Sequence, residues 1–261
     1  MVEIIVCIKQ VPNTDNVRFN WKTGSLIRQG VGSIINPDDL HALELALQLR
    51  DEYGGNITAL SMGPPQAEQV LREAYSLGVD RCILISDKRF AGSDTLVTSK
   101  ILSRAINAIG GFHFIITGFE TLDGNTSQVS YQIAEFLDIP HLTQINDIQK
   151  QDDHLIVKRL YGHEYQNIKV SMPVIIAMKR GSNKVRHPRL VDIKHSFQMK
   201  IEQMDMSDIG GTEGEYGFQG SPTVTLEGEI FKHKRKQQEF MGSTEEKIDQ
   251  LVLKLKKYGY I

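Results

Sequence analysis

Long apolar runs are missing from this chain: the stretch Val2 to Ile8 (VEIIVCI) is far short of the roughly 20 residues a spanning helix needs. It also lacks the basic segment and small-residue cleavage site of a secretory signal, so a cytoplasmic protein without stable membrane insertion is expected. Cysteine is scarce. Cys7 and Cys82 are the only two and each sits in an apolar run, which excludes a disulfide framework and suits a reducing compartment. Charge of one sign is missing too, because 30 basic residues nearly cancel 32 acidic ones and leave no field to gather polyanions. Nucleic acid is therefore not an expected partner. The eight histidines lack the paired Cys or Asp spacing of a metal site. G-x-G-x-x-G, Walker A and H-E-x-x-H are all absent, so neither a catalytic residue nor a metal ligand is assigned.

What is present is an alternation of short apolar strands and helices. Val2 to Ile8 reads as a central parallel strand, and Trp21 to Ser25 as a turn between two short extended segments. Asn36-Pro37-Asp38-Asp39 starts a helix, with Asn36 as cap and the carboxylates at the positive end of the dipole. Strands follow at Ile57 to Met62, Arg81 to Ser86 and His113 to Thr117, and helices at Gln66 to Leu77, Asp94 to Ile109 and about Asn125 to Leu137. This rhythm predicts an α/β fold, a Rossmann-like parallel sheet with helices on both faces and the strand-exit turns along one edge. Ile145 to Lys150 and His154 to Tyr161 predict an antiparallel excursion, and Val174 to Met178 a buried strand. Past about Asn183 the chain is less regular until Ser243 to Lys257, where Ser243 and Glu246 stand at capping-box spacing before an amphipathic helix. That helix would cover the protein's own core or another subunit. The expected division is a nucleotide-binding domain over 1–191 and an extended C-terminal arm over 192–261.

Two turns carry the chemistry. Phe90-Ala91-Gly92-Ser93-Asp94-Thr95 enters a helix through small residues, where free N–H groups suit phosphate; the competing reading is that Ser93 or Asp94 only caps the helix. Gly118 to Gln128 places Gly124, Asn125, Thr126, Ser127 and Gln128 around the next helix start, suited to a pyrophosphate or to ordinary capping. Together they point to an adenine nucleotide, with FAD, NAD, ATP and AMP undistinguished. A free-standing adenine-nucleotide-binding regulatory module and a structural scaffold with ordinary caps are the competing functions. A basic cluster, Lys179, Arg180, Lys184, Arg186, His187 and Arg189, would meet phosphate, an acidic partner or only solvent; Lys232 to Lys236 reads as a solvated surface.

CIKQVPNTDNV (Cys7 to Val17), TGSLIRQGVGSIINPDDLHALELALQL (Thr23 to Leu49), SMGPPQAEQVLREAYSLGVDRCILISD (Ser61 to Asp87), ITGFETLDGNTSQVSYQIAEFLDIP (Ile116 to Pro140) and VKRLYGHEYQNIKVSMPVIIA (Val157 to Ala177) follow one another as in electron-transfer flavoprotein β subunits. Over essentially its full length the chain resembles that family. Tyr161, His163, Asn125, Ser130 and Val191 depart from its usual residues. The resemblance implies a heterodimer with an α subunit that carries the principal FAD, and a β subunit that is no enzyme by itself. It also implies a β-side pocket at Cys7, Asn36, Asp39, Met62, Asp123, Gly124, Asn125, Thr126, Ser127 and Gln128. Leu190 would be the apolar anchor inserted into an acyl-CoA dehydrogenase/reductase, and the tail beyond Asp192 would wrap the α subunit. The segment Phe90 to Ser99 resembles the flavin-side sequence of electron-bifurcating members, with Ser93, Asp94, Thr95 and Thr98 along the flavin. In that type the pocket holds FAD and NADH is the donor, with one electron going to ferredoxin or flavodoxin and the other through the α-subunit FAD to the dehydrogenase. Structural AMP replaces FAD in the non-bifurcating type.

Overall fold

The structure, a computed structural model, describes residues 1–13, 18–20, 25–27, 32–223 and 237–261. The turn expected at Trp21 to Ser25 falls chiefly on residues 21–24, and the basic run on 232–236, outside the described residues. Two units are present, Met1–Leu226 and Glu227–Ile261.

The first unit begins with Val2–Cys7 (β1), and Gln10–Pro12 (β2), Arg18–Asn20 (β3), Ser25–Ile27 (β4) and Ser33–Ile35 (β5) follow as two small ladders, β2 with β5 and β3 with β4. Then come Pro37–Tyr53 (α1), Gly55–Met62 (β6), Glu68–Leu77 (α2), Arg81–Ile85 (β7), Thr95–Ile109 (α3), Phe114–Gly118 (β8), Val129–Leu137 (α4) and His141–Thr143 (β9). Ile145–Gln151 (β10), His154–Tyr161 (β11) and Glu164–Ser171 (β12) form the antiparallel excursion, which returns to the main sheet at Val174–Met178 (β13). Leu190–Ser196 (α5), Ile201–Met204 (β14), Met206–Ile209 (α6) and Gly217–Gly220 (α7) complete the unit.

Seven strands stand in the order β14-β7-β6-β1-β8-β13-β9, and every pairing is parallel. The fold is thus α/β and Rossmann-like. Strand periodicity sorts the apolar side chains onto two faces. Val2, Ile4 and Val6 join one buried cluster with α1 and α2, while Ile5 and Cys7 join another with α3 and α4. Each such Ile or Val contributes about 1.5–3 kcal/mol on burial, which is why these unbroken runs could only be central strands. α1 is buried on nearly every side, from Ala42 to Leu49, and shares its cluster with Leu155 and Val157 of β11 and Val170 of β12. Two-sided burial leaves it little amphipathic pattern.

Three elements differ from the sequence expectation. α4 starts at Val129, not near Asn125, because Asn125 (φ 47°) and Ser127 (φ 53°) take left-handed backbone conformations that a helix excludes. Residues 201–204, expected to be irregular, pair with β7 at the sheet edge. Asn36 precedes α1 as expected, yet its side chain caps no helix N–H, since the turn at 120–122 takes it instead.

In the second unit Thr244–Lys257 (α8) starts from the expected capping box, Ser243 and Glu246 bonding each other's backbone N–H. Ile248, Leu251 and Leu253 are exposed. No helix among the described residues is long and apolar enough to cross a membrane.

His141, opening β9, supplies a stability test. Its Nε2 is buried without a partner, its ring lies 4.0 Å from that of Tyr131, and burial, aided by the charge of Arg159, pushes its pKa down to about 4. The unfolded chain then binds more protons between about 4 and 6.5, so this residue's share of stability is present above 6.5 and lost as pH falls through 4. His141→Phe should keep the ring contact and flatten the stability–pH profile in that window. Denaturant unfolding of both proteins across it decides the matter, and parallel profiles would refute the assignment.

Candidate functional site

Reading the sheet order outward from β1, the chain first builds toward β7 and then reverses to β8, so a crevice opens between the carboxyl ends of β1 and β8. A cleft of about 410 Å³ lies there, lined by Cys7 to Lys9, by Thr117 to Thr121, and by the starts of α3 and α4. Its size suits a small-molecule ligand.

The N-terminus of α1 holds the crevice in shape. Asp39 accepts from the N–H of Lys9 (2.7 Å), from the N–H of Gly118 (3.1 Å) and from the Asn36 amide (3.1 Å), joining the exits of β1 and β8. Asp38 accepts from the N–H groups of Glu120 and Arg180, adding the exit of β13. Asn36 closes the set, donating to the Glu120 carbonyl (2.8 Å) and accepting from the Leu122 N–H (3.2 Å). A Cβ at Gly118 would collide with the Asp39 carboxylate, so only glycine permits this approach. Burial pushes the Asp39 carboxyl up to about 7 against the pull of its Asn36 and Lys9 N–H donors. Burial, and secondarily Asp39, pushes the Cys7 thiol up to about 12, so Cys7 lines the cleft as a protonated packing group and not as a nucleophile.

The two polar helix starts have different fates. At α3, Asp94 is the N-cap: one carboxylate oxygen accepts from Val97 N–H (3.0 Å), the other from the N–H and hydroxyl of Thr223. Burial opposes its ionisation, but these donors outweigh burial and hold the carboxyl below its usual range. Asp94 is thus committed to the cap, and α3 offers little to phosphate. At α4 no side chain caps the helix, and Asn125 and Ser127 in the preceding turn hold left-handed backbone conformations, of the kind that can turn successive N–H groups toward an anion. Thr95 Oγ1 donates to Gln128 Oε1 (3.1 Å) and bridges the two starts.

Of the residues singled out in the sequence, Cys7, Asp39, Met62, Ser93, Asp94, Thr95, Thr98, Gly124, Thr126, Ser127 and Gln128 all line this cleft. Asn36, Asp123 and Asn125 are not among its lining residues. Phe90, Ala91 and Gly92 line instead a neighbouring hollow of about 730 Å³, which shares Lys9 and Met62 with the first. Lys9 escaped the sequence reading. Its ammonium pairs with Asp123 at 2.7 Å, and although burial opposes ionisation there, this charge keeps the Asp123 carboxyl below its ordinary range. Ser130 was noted only as a departure from a usual glycine, yet its Oγ is buried at the cleft without a hydrogen-bond partner. A buried hydroxyl in that condition fits a site whose ligand completes the bonding.

One member of the basic cluster is committed inside the fold. Arg186 clamps Glu44 of α1 through its N–H (3.0 Å) and guanidinium (2.9 and 3.1 Å) and also reaches Asp51 at 2.9 Å. Beyond this clamp Leu190 stands 85 % exposed at the start of α5, beside Val191 and near Phe197, both exposed. Arg72 donates to the carbonyls of Ser196 and Met199 and so fixes the other end of α5.

An electron transfer flavoprotein domain matches residues 23–209. The chain is 40 % identical over 255 residues to the electron transfer flavoprotein subunit beta of Thermoanaerobacterium thermosaccharolyticum, covering 97 % of this chain and 98 % of that protein. It is 42 % identical over 231 residues to the protein FixA of Sinorhizobium fredii, 85 % of this chain and 81 % of the relative. Against the caffeyl-CoA reductase-Etf complex subunit CarD of Acetobacterium woodii it is 38 % identical over 223 residues, 85 % of each.

The tie between α1 and the 118–122 turn is open to a direct test. Asn36→Ala strands the Leu122 N–H and the Glu120 carbonyl, and should cost about 1–3 kcal/mol of stability. Hydrogen exchange at Leu122 should accelerate with it, and an unchanged exchange rate would show that the turn stands without Asn36.

Proposed function

The chain belongs to the electron transfer flavoprotein family as a β subunit, serving in an electron-transfer complex, and from that premise we propose that its cleft binds FAD and that the complex bifurcates electrons from NADH. The observation that carries the reading is the cleft's extent. Its lining runs from Cys7, Asp39 and Met62 past the uncapped start of α4 to Ser93, just ahead of α3, and to Thr95 and Thr98 on that helix. The buried, unpartnered Ser130 hydroxyl and the three strand exits held by α1 fit such a group.

In this reading the backbone N–H groups of Thr126 to Ser130, at the positive end of α4, hold the pyrophosphate. Lys9, held beside the cleft by Asp123, adds positive charge. Ser93, Thr95 and Thr98 present hydroxyls along the flavin side, while Asp94 orients the loop that carries them. When bound, FAD supplies two-electron acceptance from NADH and one-electron donation toward ferredoxin or flavodoxin and toward the α-subunit FAD. The protein supplies position and electrostatics, and in this reading the β subunit is an electron-transfer subunit that acts only together with its partners. Leu190, exposed on a helix pinned at both ends, is the anchor for an acyl-CoA dehydrogenase/reductase. The relative named as a subunit of a caffeyl-CoA reductase-Etf complex supports that class of partner. Of the C-terminal arm, 192–261, residues 201–204 pair with β7 in the sheet, and the part that lies on the α subunit is α8, through its exposed apolar residues.

Cofactor content of the purified αβ heterodimer, prepared without flavin limitation, tests the reading. About two FAD per heterodimer is expected; one FAD with one AMP after attempted FAD reconstitution overturns it. Leu190→Ala should leave that content unchanged and weaken coupling to the dehydrogenase by roughly tenfold or more, the size of a lost hot spot. Unchanged coupling would remove the anchor role.

A further inference from the structure

We propose that Ser221 and Thr223 are positioning residues that set the loop Gly92–Thr95 against the flavin side of the cleft; the inference rests on the FAD reading above. The loop lies between two layers. Toward the cleft it turns Ser93, Asp94 and Thr95. On its other side runs the chain around α7, more than a hundred residues downstream, which holds the loop backbone at Ala91, Gly92 and Asp94. Phe218 N–H donates to the Ala91 carbonyl at 3.0 Å. Ser221 Oγ accepts from Asp94 N–H (2.9 Å) and lies 2.7 Å from the Gly217 carbonyl and 3.2 Å from that of Gly92, to which its one proton is shared. Thr223 gives the Asp94 carboxylate both its N–H (3.2 Å) and its hydroxyl (2.7 Å).

The fit has no slack. Gly217 holds φ +59°, and any Cβ there would collide with the carbonyls of Arg89 and Ala91. Phe90 meets the buried Tyr216 edge-on at 5.2 Å, and Tyr216 is in turn held by Arg104 and the Gly210 carbonyl. Asp94 therefore faces two ways at once. One oxygen fixes the first turn of α3, hence Thr95 and Thr98, while the other is gripped by Thr223. Removing the grip frees the carboxylate to rotate, and the hydroxyls beside it lose their common reference. A ligand that relies on them must then order the loop itself, which lowers affinity without removing a contact.

Thr223→Val keeps the shape and the N–H but deletes the hydroxyl, and Ser221→Ala deletes the other. In the αβ heterodimer, exchange of the amides of residues 91–97 should accelerate in both variants. FAD at the β site should be lost roughly tenfold faster on dilution, as for one charge-assisted hydrogen bond, with the α-site flavin unaffected. Thr223→Ser should restore both. Two FAD in the wild type with unchanged retention in both variants would overturn this inference alone, as would faster exchange with unchanged retention, which would make the grip merely structural. A wild type that holds AMP in place of the second FAD would overturn the preceding reading and this role with it.

Discussion

Three strand ends meet one helix start, and the cleft exists because they do. A parallel sheet leaves the carboxyl ends of its strands as separate loops with backbone groups in need of partners. In this protein the exits of β1, β8 and β13 all deliver N–H groups to the carboxylates of Asp38 and Asp39, and Asn36 supplies the amide that Glu120 and Leu122 need. An ionised carboxylate can accept about four such bonds, which neither a serine nor an asparagine could match. Burying two acidic residues together is costly, and it persists because each has several donors. The crevice shape and the requirement for glycine at 118 both descend from that arrangement.

The two helix starts on the crevice show a division of labour. α3 begins with its own carboxylate turned onto its own N–H groups, so its positive end is already satisfied. α4 begins with nothing, after a turn in which two non-glycine residues hold left-handed conformations. Backbone strain of that kind, of order 1–3 kcal/mol per residue, persists where the surroundings over-determine it and concentrates at ligand sites. One start is closed by its own cap and the other is left open, and Thr95 with Gln128 bridges them.

Much of this was legible in the amino-acid sequence because the information was local. Apolar runs such as Val2 to Ile8 have no stable place except a sheet covered on both faces, and Asn36-Pro37-Asp38-Asp39 can hardly be anything but a helix start. The cleft residues of the turns at 90–95 and 118–128 were reachable in the same way, as strand exits on one edge, whereas Cys7, Asp39 and Met62 came only through the family resemblance. What stayed hidden was non-local. β14 is a strand only because the edge of β7 was vacant, β12 has alternating polar residues that mean little before β11 is beside it, and α4 lost its first turn to strain at Asn125 and Ser127. Asn36 looked like a cap because the turn that recruits its side chain lies more than eighty residues away. Arg186 looked like one charge in a basic run, and only the fold reveals Glu44 beneath it.

The position of β1 in the sheet has a consequence for how the chain reaches this fold. It is the central strand, almost wholly apolar, and its two neighbours are built from residues 55–62 and 114–118. A ribosome adding about 5–20 residues per second leaves that strand without either edge for seconds, and without the second for longer still. During that interval a short hydrophobic segment stands unpaired, and the single charge at Glu3 is all that interrupts it. High contact order at the heart of the sheet thus makes biogenesis, more than the finished architecture, the stage at which this protein is most exposed to error.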